Sequence, residues 1–226
     1  YWYVTLEGGA SFLSSDNKFN FSSMEGNYGF GVGYNFGDYY RLYGKIGSGS
    51  YTGEDAERYW VVTEGNYLQA TINISADVIG LIAKTTDKRL ELYPHVGIGQ
   101  TQFRSTASVR GEGFKQIGYD NDNKNNTQGT GINGRKVSLT IPLGMELAYN
   151  VTDRTDLYAD ATSFLTQSDL LDCIESGKNK DAYSTFNIGL RYKFNKNCIE
   201  PKEHQITPDE VQEAIQEALE QQKAAE

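Results

Sequence analysis

The chain is patterned by a strict alternation of apolar and polar residues that recurs about eight times. The clearest stretch carries Phe186, Ile188, Leu190, Tyr192 and Phe194 at one parity, and Asn187, Gly189, Arg191 and Lys193 at the other. A period of two places these sets on opposite faces of a β-strand. In a soluble sandwich the apolar face would be the core. Here the opposite face is small or charged, which favours a closed barrel whose apolar face is turned toward lipid.

The alternation predicts an all-β fold, an eight-stranded antiparallel transmembrane up-and-down β-barrel. The predicted strands cover residues 2–13, 27–36, 39–50, 67–81, 90–103, 137–149, 156–164 and 183–194. In the second strand, Gly29, Gly31 and Gly33 alternate with large apolar side chains, so they lie where a narrow lumen needs room. Pro94 and Pro142 each remove a ladder donor, so we expect a bulge or a local break at both.

The connections between these strands alternate in length. The short ones are residues 37–38, 84–89 and 150–155, and the long ones are 14–26, 49–66, 104–135 and 165–182. Outer-membrane barrels have short periplasmic turns and longer extracellular loops. An even number of strands then places both barrel termini on the periplasmic side. We therefore predict localisation in the bacterial outer membrane, with the C-terminal segment in the periplasm.

Composition narrows the remaining classes of protein. The 226 residues suffice for one barrel and an appendage. There is no apolar run long enough for a transmembrane helix, but a membrane strand needs only about 10 residues, half of them apolar. The net charge of -9 argues against a nucleic-acid partner. Because Tyr1 enters a strand almost at once, we expect a mature form from which a signal peptide has been removed.

The composition changes after the last predicted strand. We predict three parts: a barrel over residues 1–194, a periplasmic linker over 195–206, and an acidic amphipathic helix over 207–226. The helix begins with a capping box from Thr207 to Glu210. Its apolar stripe is Val211, Ile215 and Leu219. A helix of this length is marginal alone in water, so we expect it to contact a partner or to lead into a further domain.

The last predicted strand also resembles the terminal-strand signal of bacterial outer-membrane barrels, which the insertion machinery reads. Its residues are a polar side chain, a glycine and two aromatics: Asn187, Gly189, Tyr192 and Phe194. With eight strands, four long loops and an extension, residues 2–194 resemble the OmpA family. That resemblance implies a barrel that anchors a periplasmic peptidoglycan-binding domain. The signature of such a domain is absent here, so peptidoglycan is expected as a partner only through a domain not present in this chain.

Charged residues recur on the predicted lumen face. They are Glu7, Arg41, Lys45, Asp77, Glu91, Glu146, Asp160, Arg191 and Lys193. Side chains fill the interior of an eight-stranded barrel, and buried charges must be paired. We therefore predict a structural salt-bridge network, and the resemblance implies the same, since a charged network blocks the lumen of OmpA-like barrels. The alternative is a gate or a narrow conductance path.

The sequence offers little for catalysis or metal binding, and we predict no enzyme activity, cofactor or metal. His95 lies on the lumen face without a framing serine motif, and His204 lies in the linker. The run from Asp120 to Asn123 suggests calcium ligands, but Lys124 occupies the fifth position, where an oxygen ligand belongs. A solvated loop is the better interpretation of this run.

The two cysteines and the aromatic residues give two further expectations. Cys173 lies in the fourth long loop and Cys198 lies just past the last strand, so strand eight separates them by roughly 30 Å, too far for a disulfide. Aromatics near strand ends are expected to form interfacial girdles. They are Trp2, Tyr28, Phe36, Tyr40, Tyr149, Tyr192 and Phe194.

Together these patterns predict a structural barrel that contacts outer-membrane lipid. Its expected role is an envelope anchor or an accessory subunit that contacts other envelope proteins, with the helix stripe as the candidate contact. One alternative is a small-solute channel with a charged lumen. Another is a soluble, lipocalin-like ligand carrier, which would put Leu68, Ile72 and Ile74 inside. A barrel enzyme is the least supported alternative, because histidines are scarce.

Overall fold

A computed structural model describes most of the predicted barrel. The described residues are 1–14, 24–55, 61–84, 89–109, 112–121, 124–168, 170–171, 173 and 181–194. They contain β1 (Trp2–Ser14), β2 (Glu25–Phe36), β3 (Tyr40–Asp55), β4 (Val61–Ala76), α1 (Val78–Ala83), β5 (Leu90–Val109), β6 (Glu112–Ile117), β7 (Asn126–Thr127), β8 (Lys136–Asn150), β9 (Thr155–Thr166) and β10 (Ala182–Lys193). A single 3-10 turn, Ile132–Gly134, precedes β8.

Eight of these strands close on themselves. The sheet runs in the order β4, β3, β2, β1, β10, β9, β8 and β5, and the pairing of β4 with β5 completes the ring. All of these pairings are antiparallel. The short strands β6 and β7 extend from β5 outside the ring. The predicted all-β, eight-stranded antiparallel barrel is therefore confirmed, and closure leaves the ring without a free edge.

The alternation of the sequence becomes an alternation between the lumen and the outer surface. Along β10, Ile188 and Leu190 are exposed on the outside, whereas Asn187 and Arg191 are buried inside. Apolar residues also face outward along β4, where the Ile72 side chain is 61% exposed. A soluble carrier would need that face inside, so the outward apolar surface contradicts the lipocalin-like alternative.

Three strands extend beyond their predicted ends on the side of the long loops. Strands β3 and β4 pair as far as Asp55 and Val61, and β5 continues to Val109, so much of the predicted long loops 49–66 and 104–135 is strand. The ladder continues here because hydrogen bonding between backbones does not need apolar side chains. Residues of these extensions no longer alternate between apolar and polar, which hid them from the sequence pattern.

The predicted fourth strand, 67–81, is wrong at its C-terminal end. The strand stops at Ala76, and Asp77 becomes the N-cap of α1, where its side chain accepts a hydrogen bond from the Gly80 amide. The short helix ends at Lys84 in the left-handed conformation. An acidic N-cap favours a helix start over a continued strand at this point.

The two strand prolines behave differently. The register between β5 and β8 does not shift at either residue, so neither proline forms a bulge in this pairing. However, the pairing passes from Val96 with Leu143 directly to Gly99 with Thr140, and the unpaired step lies at Pro142. The predicted local break is therefore present at Pro142, whose nitrogen cannot donate. Pro94 pairs with Met145 within an unbroken stretch, so the bulge or break predicted at Pro94 is wrong for this pairing.

The predicted linker and C-terminal helix lie outside the described residues. The stripe Val211, Ile215 and Leu219 therefore stays a prediction, as do the capping box and the role of His204. None of the described helices is long and apolar enough to cross a membrane.

Candidate functional site

The lumen near the short turns is filled by a layer of buried charges. Arg41 on β3 and Arg191 on β10 both pair with the Glu146 carboxylate of β8, and the Arg41 Nη2 to Glu146 Oε1 distance is 2.9 Å. Arg191 also reaches Asp156 of β9, with 3.2 Å between Nη1 and Oδ2. Lys193 binds the same Asp156 carboxylate at 2.6 Å. Charges from four strands thus meet at one level of the barrel.

Aromatic rings lie against the two guanidinium groups. The Arg41 guanidinium carbon lies 3.0 Å from the centre of the Tyr93 ring. The Arg191 guanidinium carbon lies 5.1 Å from the ring centres of both Tyr3 and Tyr158. A ring face attracts a cation more strongly when water is excluded, so these contacts add to the ion pairs.

A second group of charges lies next to the first. Lys45 Nζ is 2.6 Å from Glu7 Oε1 and 3.7 Å from Asp160 Oδ1. The Tyr158 hydroxyl donates to the other Glu7 oxygen at 3.0 Å, and the Asn187 amide donates to Glu7 Oε1 at 2.8 Å. The cavity among these residues holds about 10 Å³, at most a single water. We call the residues of these two groups, ions and rings alike, the charged layer.

The ions of the charged layer balance each other. Four cations, Arg41, Lys45, Arg191 and Lys193, face four carboxylates, Glu7, Glu146, Asp156 and Asp160. A neutral and hydrogen-bonded set is the condition under which charges can lie at low dielectric without a prohibitive cost. Each carboxylate contacts at least one cation from another strand, so the layer also ties the strands together.

Seven of the nine network residues predicted from the sequence meet in this layer. They are Glu7, Arg41, Lys45, Glu146, Asp160, Arg191 and Lys193. Asp77 is buried at the end of the barrel and caps α1, and its place in the network stays a prediction. Glu91 lies at the edge of the layer, where it accepts a hydrogen bond from the Tyr93 hydroxyl at 3.0 Å.

Sequence reasoning left Asp156 and the tyrosines out of the predicted network. Asp156 and Tyr158 have the same parity as Asp160 on β9 and are buried with it. Tyr3 has the parity of Glu7 on β1, and Tyr93 has that of His95 on β5. Parity along each predicted strand would therefore have found them.

His95 is buried beside the charged layer. Its Nε2 lies 3.0 Å from Thr162 Oγ1 and 3.7 Å from Asp160 Oδ2. In a nucleophilic triad the carboxylate holds one ring nitrogen and the nucleophile contacts the other. Here both groups approach the same nitrogen, and Nδ1 has no hydrogen-bond partner. The contacts of His95 are those of a residue that fills space between strands.

The lumen near the long loops is filled in another way. A cluster of buried, mostly apolar side chains, here called the aromatic plug, consists of Leu13, Tyr51, Tyr67, Phe103, Ala107, Ile117, Phe164, Leu171, Cys173 and Tyr183. The Phe164 and Tyr183 rings stack with centres 4.7 Å apart, and Tyr67 packs on the same tyrosine at 4.6 Å. The Tyr183 hydroxyl donates to Gln69 Oε1 at 2.7 Å. The Tyr51 hydroxyl also pairs with Ser105 Oγ at 2.7 Å, so the cluster combines ring packing with paired hydroxyls as a small soluble core does.

The four residues of the predicted terminal-strand signal lie on both faces of β10. Asn187 joins the charged layer, and Gly189 lies beneath the Tyr158 ring, where an added Cβ would come within 2.4 Å of Tyr158 Cζ. Tyr192 and Phe194 are exposed outside and pack edge to face, with ring centres 5.1 Å apart. Packing against Tyr158 therefore requires a glycine at position 189, independently of any role in the terminal-strand signal.

The predicted girdle aromatics are exposed on the outer surface. All seven are exposed, and six lie near the short turns or the termini: Trp2, Phe36, Tyr40, Tyr149, Tyr192 and Phe194. Tyr28 lies near the opposite end. The Phe36 and Tyr40 rings stack across the first turn with centres 6.0 Å apart. Amphipathic rings in this position suit a headgroup region.

The remaining candidates from the sequence are a metal site, the suspected calcium run and the two cysteines. No group of three or more possible metal ligands occurs in the described parts of the chain. In the suspected calcium run, Asp120 accepts a hydrogen bond from Gln128 at 2.8 Å, and residues 122–123 lie outside the description. Cys173 is buried in the aromatic plug, whereas Cys198 lies outside the described residues, so the expectation of no disulfide is untested.

Comparison with known proteins places the barrel in a family. The family model described as the outer membrane protein beta-barrel domain matches residues 1–194. The chain belongs to this family. The predicted small eight-stranded outer-membrane barrel and its location in the bacterial outer membrane are therefore confirmed for this outer membrane beta-barrel domain. No curated protein is significantly similar to the chain in sequence.

Three solved structures resemble the beta-barrel domain at low identity. Neisserial surface protein A is 15% identical, with 85% of this chain and 97% of that chain covered and a TM-score of 0.44. Ail, the attachment invasion locus protein of Yersinia pestis, is 12% identical, with 85% and 97% covered and a TM-score of 0.47. The N-terminal barrel of Pseudomonas aeruginosa OprF is 15% identical, with 84% and 97% covered and a TM-score of 0.37. These likenesses carry no inference about function.

Proposed function

We propose that the protein is a structural barrel of the outer membrane, an envelope anchor or an accessory subunit of a larger outer-membrane assembly. The observation that supports this role is the filled lumen. The charged layer blocks one end and the aromatic plug fills the other, and the cavity in the charged layer holds only about 10 Å³. Function in such a barrel resides on its outer wall, its loops and its termini.

The filled lumen disfavours the channel alternative. An ion crossing the charged layer would have to displace pairs such as Lys45 with Glu7, whose charged atoms are 2.6 Å apart. Beyond that layer it would meet the stacked rings of the aromatic plug. Both steps exchange satisfied contacts for unsatisfied ones at low dielectric.

Catalysis is likewise disfavoured, and we propose that the barrel performs no chemistry. The one described histidine, His95, shares its Nε2 between a hydroxyl and a carboxylate. It is buried beside the charged layer, where a substrate would not reach it.

Recordings in planar lipid bilayers separate the structural role from the channel. We expect no steady conductance from the purified full chain. A steady conductance that changes when Arg41 or Lys45 is replaced by glutamine would establish the channel instead. Arg154→Gln is the matched control. Arg154 is an exposed residue of a short turn, so this substitution removes the same charge from outside the lumen.

Purification from membranes in mild detergent tests the assembly role. A stoichiometric set of envelope proteins that remains with the barrel would make it a subunit, and a lone barrel would leave the anchor. If the predicted helix stripe makes the contact, Ile215→Asp should release the partner, whereas Gln216→Asp on the polar side should not. Unchanged co-purification of the Ile215 variant would exclude the stripe as the contact.

A further inference from the structure

The outer face of β5 carries a polar row where its neighbours are apolar. Towards the loops the outward residues are Ile98, Gln100, Gln102 and Arg104. Gln100 lies between Ala70 of β4 and Leu139 of β8, and Gln102 lies between Leu68 and Val137. Two amides therefore face outward at a depth where both adjacent strands present apolar side chains. Amides are costly to place against hydrocarbon unless they form hydrogen bonds.

The two amides have free hydrogen-bonding capacity. The Gln102 carbonyl oxygen accepts from the Ile132 amide at 2.9 Å, which fixes the side chain and leaves its NH2 group to donate. Within the described part of the chain, the exposed Gln100 side chain has no hydrogen-bond partner. Both amides can therefore bind a polar group that lies along this strand.

Two arginines meet above the amides. Arg104 donates from Nε to the Gly118 carbonyl at 3.0 Å and from Nη2 to the Asn133 carbonyl at 2.7 Å. Arg135 donates to the carbonyl of Asn66, the residue that pairs with Arg104 across β4 and β5. Burial lowers the pKa of Arg135, and the positive charge of Arg104 lowers it further.

These two guanidinium groups have no acidic partner among the described residues, in contrast to those in the lumen. Backbone carbonyls fix both groups in place while their charges remain uncompensated. Fixed guanidinium pairs of this kind favour phosphate oxygens.

A groove continues the row below the amides. Its volume is about 700 Å³, and Gln100 lines its upper part. The groove exists because Gly44 and Ala70 are small, whereas Ile46, Ile72 and Leu139 form its walls. It opens on the lipid-facing surface, and its size suits the hydrocarbon part of an amphiphile.

We propose that this wall binds a phosphorylated lipid of the outer leaflet. Arg104 and Arg135 hold the phosphate, Gln100 and Gln102 donate to the ester or amide carbonyls, and the groove holds acyl chain. The order along β5, apolar, then amide, then guanidinium, matches the order of chain, linkage and phosphate in such a lipid. From Ile98 to Arg104 the strand rises roughly 20 Å, enough to span these three zones.

Native mass spectrometry of the full chain in mild detergent tests the site. The probe is lipid A, which carries two phosphates and several acyl chains, and the matched probe is the same lipid with its phosphates removed. We expect lipid A to bind and the dephosphorylated lipid to bind at least about tenfold more weakly, since charged hydrogen bonds dominate the contact. Equal binding of the two probes would overturn the proposal.

Variants distinguish this wall from general attraction to the barrel. Arg104→Gln with Arg135→Gln should weaken lipid A binding at least about tenfold, as should Ala70→Phe, which fills the groove. Arg89→Gln with Arg154→Gln removes the same charge at the opposite, exposed end and should leave binding unchanged. Equal losses in both double variants would show nonspecific charge attraction. A lipid-free dimer of the chain would show that a second copy covers the groove, and either result would overturn the proposal.

A folding control accompanies these measurements. The arginine variants remove hydrogen bonds to Gly118 and Asn133. Gln100→Leu therefore serves as a second variant, because the Gln100 side chain has no hydrogen-bond partner among the described residues. It should lower the affinity for lipid A while the barrel keeps its heat-dependent gel mobility. A folded Gln100→Leu barrel that binds lipid A as tightly as the natural sequence would exclude the amide contact.

Discussion

The two ends of the lumen are filled by different kinds of interaction. In the charged layer, four cations and four carboxylates neutralise each other across the barrel, with tyrosine rings against the guanidinium groups. In the aromatic plug, stacked rings and aliphatic side chains fill the same cross-section with few charges. Both solutions remove water from the interior. They differ in how the strands depend on one another.

Removing one residue should destabilise the charged layer more than the aromatic plug. If one ion is deleted, its partners are left charged and buried, a cost larger than the interaction that was lost. If one ring is deleted, a cavity remains that neighbours partly fill. The charged layer should therefore specify which strands pair, and the aromatic plug should mainly stabilise the loop end of the barrel.

The largest effect is expected from Glu146→Gln, which leaves Arg41 and Arg191 without their shared carboxylate. Breaking a buried pair in this way costs about 3–5 kcal/mol. Urea unfolding of the barrel in lipid vesicles measures the free energy of unfolding. Glu64→Gln at the exposed loop end is the control and should change it by less than about 0.5 kcal/mol. A similar result for both variants would contradict the central role of the charged layer.

Phe164→Ala tests the aromatic plug and should lower the free energy of unfolding by about 3 kcal/mol, through lost burial and a cavity beside Tyr183. The neighbouring Leu165 faces outward, so Leu165→Ala should have a smaller effect. The same unfolding experiment applies. If the outward leucine matters more than the ring, the plug contributes little to stability.

Tyr158→Phe should have an intermediate effect on the charged layer. It keeps the ring beside Arg191 but removes the hydroxyl that donates to Glu7 at 3.0 Å. Loss of a hydrogen bond to a charged group costs about 1.5–3 kcal/mol. Tyr149→Phe removes an exposed hydroxyl on the outer surface and should be nearly neutral. Equal unfolding midpoints for the two variants would show that the Glu7 contact is not formed.

Asp77→Ala should have the smallest effect of the four. Asp77 caps α1 at the end of the barrel, and the loss of an N-cap costs about 1 kcal/mol. The comparison with Glu146→Gln separates the two roles in one unfolding assay. A loss as large as that of Glu146→Gln would place Asp77 energetically within the charged layer.

Alternation predicted the eight strands and their lumen faces because membrane strands must turn every second side chain toward lipid. It could not predict the extensions of β3, β4 and β5, where Thr52, Thr63 and Thr106 keep strands paired without an apolar face. It also missed α1, because the apolar run after Asp77 satisfies a strand and a short helix equally well.

The charged layer was predictable as a set of residues but not as a set of contacts. Parity places Arg41, Glu146 and Arg191 in the lumen, but only the register between strands decides that they share one level. The aromatic plug was missed for a related reason. Tyr51 and Tyr67 have the parity of the lumen face, yet they lie beyond or at the ends of the predicted strands.

The last strand closes the ring against β1, and it also supplies Asn187, Arg191 and Lys193 to the charged layer. A nascent chain that ended before residue 182 would keep two cations, Arg41 and Lys45, against four carboxylates. It would also present two unpaired strand edges to the hydrocarbon. Both defects disappear when β10 pairs with β1 and β9, so the same strand that closes the ring also brings the lumen charges into balance.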